Sequence, residues 1–189
     1  RAVILSGMGE PFTHPDVYAM IEEVKRRGLH LTLITNLVAA DAERVIALGV
    51  DQLLIGIHGA SEAAYRAFHP SFQADEWQRL HAMLARFAAA GRRFKHVHVI
   101  CAVNADELPA MVEQGARYQA AQINFKLASL REGTEAVRAS RAQLLRLQEE
   151  LLPLAQEKAQ ALQLETNLAV FAQQLAASLS GAPSAADDE

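Results

Sequence analysis

The chain has 189 residues, is 51% apolar and carries a formal net charge of −4. That composition suits one soluble domain with a sizeable core, and it offers neither a basic excess for nucleic acid nor an apolar run long enough to span a bilayer. No signal peptide is visible and a single cysteine, Cys101, rules out an internal disulfide framework, so the expected compartment is the cytoplasm.

A short apolar run, Val3 to Leu5, ends in Gly7-Met8-Gly9-Glu10-Pro11, and a helical pattern starts at Pro15. Strand, glycine turn and helix make one βα unit whose loop lies at the C-terminal end of its strand, where parallel α/β folds bind ligands. The two glycines permit positive φ and close backbone approach to a ligand. Spacing alone leaves a plain tight turn equally open. A buried parallel strand two residues from Arg1 also suggests a segment of a longer protein.

The first helix is predicted over 15–27, with Val17, Met20, Ile21 and Val24 on one stripe and Gly28 just past its end. A strand follows over 29–35. Asp41 caps a short helix closed by Gly49, and a third strand covers 52–58. After a loop with a short helical piece, Asp75 caps a helix carrying Trp77, Leu80, Leu84 and Phe87. The fourth strand covers 94–103, Asn104 opens a helix with Leu108, Met111 and Val112, and the fifth strand covers 122–127. This β-α alternation with short connections predicts a parallel sheet with right-handed crossovers, its apolar strands buried on both faces. The expected fold is α/β, a partial parallel (β/α) barrel of about five strands over 1–130. A helical extension over 131–180 contains a long helix at 135–163 that Pro153 should kink or split, then a short extended piece and a last helix. Residues 181–189 read as a tail or linker.

Strand C-termini gather the polar candidates. Glu10 could accept from a ligand or brace its turn. Asn36 fits a ligand contact or a turn. Asn104 fits an N-cap, with Glu107 completing a capping box. Lys126, inside an apolar strand, should reach the mouth of the barrel and meet an anion. His96 and His98 share one strand face and could hold a metal. From His98 to the strand end at Val103, however, is roughly 16 Å, which favours buried or helix-facing roles for the pair. His58 sits at a strand end and stays a site candidate. Cys101 reads as a core residue, since one thiol cannot hold an iron–sulfur cluster.

The stretch Gly7-Met8-Gly9-Glu10-Pro11, followed by Phe12-Thr13-His14-Pro15-Asp16 and a strand ending in Thr35-Asn36, resembles the Gly-Gly-Glu-Pro region of radical S-adenosylmethionine (radical SAM) enzymes. Gly59-Ala60-Ser61-Glu62 with Tyr65 and His69-Pro70 resembles the segment after that family's fourth strand, and Thr166-Asn167-Leu168 the region after its barrel. The resemblance implies a partial (β/α)6 barrel represented here from its second to its sixth strand. It implies S-adenosylmethionine (SAM) as cofactor, touched by Met8, Gly9, Glu10 and Pro11 around its methionine moiety, with Asn36 nearby. Gly56 and His58 would lie by the ribose or carboxylate, and Asn104 and Lys126 by SAM or substrate. It also implies a [4Fe-4S] cluster on a Cys-x3-Cys-x2-Cys loop, an electron donor such as flavodoxin or ferredoxin, and hydrogen abstraction by a 5′-deoxyadenosyl radical. Two departures stand out: many members have Ser where this chain has Gly56, and the cysteine loop is absent. The sequence does not name a substrate. Two other readings remain at this stage: a βα-barrel metal-dependent hydrolase using Glu10 and His58, and a catalytically inactive binding or scaffold module.

Overall fold

Five parallel strands run in chain order across one open sheet in the computed structural model, which describes residues 1–7, 9–71 and 73–180. They are β1 (Ala2–Leu5), β2 (His30–Thr35), β3 (Gln52–Gly56), β4 (Lys95–Ile100) and β5 (Gln122–Leu127). Parallel neighbours require crossovers. These contain α1 (Val17–Arg26), α2 (Ala42–Leu48), α3 (Glu62–Phe68) with α4 (Glu76–Ala89), and α5 (Leu108–Arg117). Because the strand order never reverses, crossovers of one hand put every helix on one face, which is a partial (β/α) barrel and not a doubly wound sheet.

Alternation along the strands divides the two faces. Leu31, Leu33, Leu53 and Ile55 are buried against Ile21, Leu80, Leu84 and Phe87. Ile100, Ile123 and Phe125 pack with Leu108, Met111 and Val112. The opposite face carries Ile34, Leu54, Gly56, Val97, Val99 and Lys126, which are partly or wholly exposed. The expectation of strands buried on both faces therefore fails. Five strands do not close a barrel, and the inner face stays open. Met20 departs from the predicted stripe too: it is 41% exposed at the β1 edge, while Val17 and Ile21 are buried.

Local signals set most helix ends. Asp41 accepts from the Arg44 N–H at 3.1 Å, and Gly49 takes a left-handed conformation, φ 62°, just past α2. Asp75 flanks α4 without capping it; the buried Glu76 instead accepts from the Tyr65 hydroxyl at 2.8 Å and the Gln73 N–H at 3.2 Å. The third and fourth strands end early, at Gly56 and Ile100.

Pro153 does not split its helix. α6 (Arg141–Arg146) passes through a π turn (Leu147–Leu151) into α7 (Leu152–Ala161). Proline has no N–H and its ring crowds the carbonyl one turn back; the wider turn just ahead accommodates both problems. The rod starts at Arg141 and not at 135, because Ser140 and Gln143 form a capping box. Leu147, Leu151, Ala155 and Ala159, with Leu168, Phe171 and Leu175 of α8 (Leu168–Ser180), share one apolar cluster with α5 and β5. The stretch read as a tail, 181–189, lies outside the described residues.

Candidate functional site

The inner face and the strand C-termini enclose a cavity of about 370 Å³, and Gly9, Glu10, Asn36, Gly56, His58 and Lys126 all line it. A second cavity of about 450 Å³ adjoins it through Ser6, Gly7, Gly9 and Glu10, and reaches Pro11. Met8 lies outside the described residues. Asn104 does not line either cavity. Gly7 and Gly9 border both cavities. Their contribution is room: a Cβ built on Gly9 meets no described atom within 4 Å, so the backbone borders open cavity.

Glu10 holds this loop in place. Its Oε1 accepts from the Phe12 N–H at 3.1 Å and from the Thr35 hydroxyl, and its Oε2 accepts from the Asn36 N–H at 2.7 Å. The carboxylate therefore ties the end of β1 to the end of β2, and bonds of this kind to a charged acceptor are stronger than neutral ones. Asn36 forms a turn, its Oδ1 accepting from the Val38 N–H at 3.0 Å.

His58 is constrained on every side. Its backbone is left-handed, φ 59°, an uncommon state for a residue with a Cβ. Its Nδ1 accepts from the Val99 N–H at 3.0 Å, which places the proton of the neutral ring on Nε2. The ring stacks on Phe68 with centroids 4.4 Å apart. A Cβ on Gly56 would sit 2.7 Å from His58 Nε2, so the glycine found where the family often has serine makes space for this imidazole. Burial, then the His69 and Lys126 charges, hold the His58 pKa down at about 3. It is a fixed neutral N–H donor at neutral pH.

Asn104 makes no N-cap bond. Its Nδ2 donates to the carbonyls of His58 and Val99, both at 2.8 Å, and its Oδ1 accepts from the Cys101 N–H at 2.8 Å. Glu107 likewise leaves its expected box and accepts from the Ala60 N–H at 2.7 Å and from Ser61. These two side chains lock the loop after β3 to the loop after β4. Lys126 is exposed on the inner face, and no carboxylate pairs with it among the described residues. Two polar lining residues escape the sequence reading. Ser6 gave no signal, and His69 was visible only as part of a His-Pro pair. His69 Nδ1 lies 2.9 Å from the Tyr65 carbonyl and donates to it.

His96 and His98 are fully buried on the helix-facing side. With β4 ending at Ile100, His98 stands only two residues from the strand end, so the facing and not the distance removes the pair from the mouth. Their four ring nitrogens have no partner among the described residues. Among those residues no three His, Cys, Asp or Glu side chains group as a metal site. The Glu10 oxygens on which the hydrolase reading relied are already taken.

A sequence model of the Radical SAM superfamily matches residues 1–115. The chain belongs to the radical SAM superfamily. Solved structures agree on the fold. The enzyme anSMEcpe, solved with bound AdoMet and the Kp18Cys peptide, is 13% identical with a TM-score of 0.67, covering 97% of this chain and 54% of that one. SuiB of Streptococcus suis bound to S-adenosylmethionine is 13% identical with a TM-score of 0.66, covering 87% and 38%. TYW1 with a lysine-pyruvate adduct is 17% identical with a TM-score of 0.62, covering 80% and 49%. The chain thus spans about half or less of these radical SAM proteins. No curated protein sequence matches.

The open glycine backbone, the braced Glu10 and the donor-rich cavity fit SAM. The residues do not fit the family's [4Fe-4S] cluster. Several thiolates are needed, and the chain has only Cys101, which is 3% exposed and whose thiol pKa is pushed up by burial.

Proposed function

We propose that residues 1–180 form the SAM-holding core of a radical SAM enzyme whose cluster is ligated outside this chain. The observation that carries this reading is the placement of Gly7, Gly9 and the bracing Glu10 at the border of two adjoining cavities, with open space beside Gly9. Two of the similar structures, anSMEcpe and SuiB, were solved with SAM, which supports it. When bound and reduced by one electron, SAM supplies a 5′-deoxyadenosyl radical that takes hydrogen from a substrate. The chain's own residues bind and orient. Glu10 fixes the loop that receives the methionine end. His58 offers an Nε2–H that stays neutral at physiological pH. Ile34, Val97 and Val99 supply an apolar wall of the cavity beside these polar groups. Flavodoxin or ferredoxin is the proposed electron donor.

Equilibrium dialysis of the purified chain against radiolabelled SAM tests the reading. Saturable binding at one site, competed by S-adenosylhomocysteine, is expected; absence of saturable binding refutes it. No helix among the described residues is long and apolar enough to cross a membrane.

A further inference from the structure

An unbroken file of rings leads away from the cavity, through α3 and α4, to the end of α5. His69 lines the cavity, and its ring centroid lies 4.2 Å from that of Tyr65. Tyr65 is 5.3 Å from Trp77, Trp77 is 4.0 Å from His81, and His81 is 5.4 Å from Tyr118. Each step is an aromatic contact. Trp77 and His81 stand one turn apart on α4, so they share a face and continue the file. The file takes the one tryptophan of the chain and two of its three tyrosines, which are among the most easily oxidised side chains. Both phenols have a base at hand. The Tyr65 hydroxyl donates to Glu76 Oε1 at 2.8 Å, inside the core. The Tyr118 hydroxyl and His81 Nδ1 are 2.6 Å apart, and the phenol, the stronger acid, donates. Burial and the Arg117 charge hold the His81 pKa down, so its ring is neutral at physiological pH and able to take that proton. Stability does not explain the buried Tyr65–Glu76 pair: apolar side chains of similar volume would fill the space without desolvating a carboxylate. A tyrosine, by contrast, gives up an electron readily only when its proton has somewhere to go.

We propose that Tyr65, Trp77 and Tyr118, bridged by His69 and His81, form a conduit that carries an oxidising equivalent out of the cavity to the C-terminal end of α5. The oxidant is a peroxyl radical, ROO•, formed where dioxygen meets a carbon radical in the cavity. That source rests on the SAM reading; the conduit itself stands on the geometry alone. ROO• takes one electron from Tyr65 and becomes ROO⁻, which water protonates, while the phenolic proton moves to Glu76. Trp77 then returns an electron to Tyr65, Glu76 returns the proton, and Trp77 is left as a radical cation. Tyr118 supplies the electron that restores Trp77 and passes its own proton to His81. In balance, peroxyl radical, tyrosine, imidazole and water become hydroperoxide, tyrosyl radical, imidazolium and hydroxide. The radical comes to rest beside the exposed Arg117, whose guanidinium lies 5.5 Å from the Tyr118 ring centroid, where a reductant in solution can quench it.

The test places a photo-oxidant in the cavity of the whole chain. Ile34 lines the cavity and is 40% exposed; Ile34→Cys carries a thiol-linked ruthenium polypyridyl complex, while Cys101, 3% exposed, stays unlabelled. A light flash with an irreversible cobalt quencher generates the oxidant, and freeze-quench electron paramagnetic resonance reads the radical. A tyrosyl signal is expected, with a hyperfine pattern that changes in Tyr118→Phe because the radical then stops at Tyr65. Trp77→Phe should lower the Tyr118 component at least about tenfold. Glu76→Gln, which accepts the phenolic hydrogen bond but not its proton, should slow the appearance of the signal about tenfold. No tyrosyl signal, a pattern unchanged by Tyr118→Phe, a Tyr118 component undiminished in Trp77→Phe, or an unchanged rate in Glu76→Gln overturns the proposal. None of these readouts uses SAM, so a chain that conducts but does not bind SAM refutes the SAM reading alone.

Discussion

The side-chain amide of Asn167 brackets the backbone of Phe125. Its Oδ1 accepts from the Phe125 N–H at 2.7 Å and its Nδ2 donates to the Phe125 carbonyl at 2.9 Å. One carboxamide thereby does the work of a neighbouring strand residue on the outer edge of β5. Thr166 adds a parallel bridge to Ile123, and Gln174 of α8 accepts from the Leu127 N–H at 3.3 Å. Replacing Asn167 with Ala strips partners from a partly buried N–H and carbonyl, which costs about 1–3 kcal/mol. The urea midpoint should fall at unchanged m-value. An unchanged midpoint would show that water replaces the amide.

The other edge of the sheet has no such cover among the described residues. β1 pairs only with β2, and Ile4 is 65% exposed. An open apolar edge strand is a template for pairing with another chain. The purified chain is expected to self-associate, and Ile4→Lys to reduce this. Sedimentation velocity reads both outcomes; a wild-type chain that stays monomeric at high concentration would contradict the expectation.

Glu10→Gln keeps the shape and removes the charge. One of its two terminal atoms then becomes a donor facing donors from Phe12, Thr35 or Asn36. A loss of about 1.5–3 kcal/mol is expected from the charge-assisted bonds alone. SAM affinity should fall at least about tenfold because the loop that presents the backbone is no longer pinned. Calorimetric titration alongside urea unfolding would separate the two losses.

Gly56 and His58 should be energetically coupled. Gly56→Ala pushes a methyl against the imidazole and should cost about 1–3 kcal/mol. His58→Gly removes the ring without new backbone strain. In the double variant Gly56→Ala should cost little, giving a coupling energy of about 1 kcal/mol or more. Additive losses in urea melts would mean the ring moves aside freely.

Stability should fall in mild acid. Burial lowers the pKa of His58 and His96 to about 3 and that of His98 well below its ordinary 6.5. Between these values and about 6.5 the unfolded chain binds protons that the folded chain refuses, so stability is full above 6.5 and is lost as pH falls. Each group contributes a slope of about 1.4 kcal/mol per pH unit in that window. Circular dichroism on acid titration should show cooperative unfolding well above pH 3. A His96→Leu/His98→Leu variant should unfold about one pH unit lower than wild type; identical curves would assign the transition to other groups.

Local and periodic information was legible without a structure. The alternation of strands and helices, the capping Asp41 and the closing Gly49 all act through neighbours within a few residues, and each stands as read. Hydrophobic period also marked Ile21, Leu80 and Phe87 as core, because burial repeats with the backbone's own geometry.

What only the tertiary structure decided is where each polar side chain spends its bonding capacity. Asn104 and Glu107 look like a capping box in sequence, yet they bond across 46 and 47 residues to His58, Ala60 and Ser61. Pro153 reads as a break until a π turn absorbs it. Of the two readings of Glu10, ligand contact or brace, the fold selects the brace, and Lys126 meets no carboxylate among the described residues, because sequence does not reveal which groups from distant strands arrive beside them. Hydrogen-bond partners more than a turn apart are chosen by packing, and packing is settled only when the sheet is assembled.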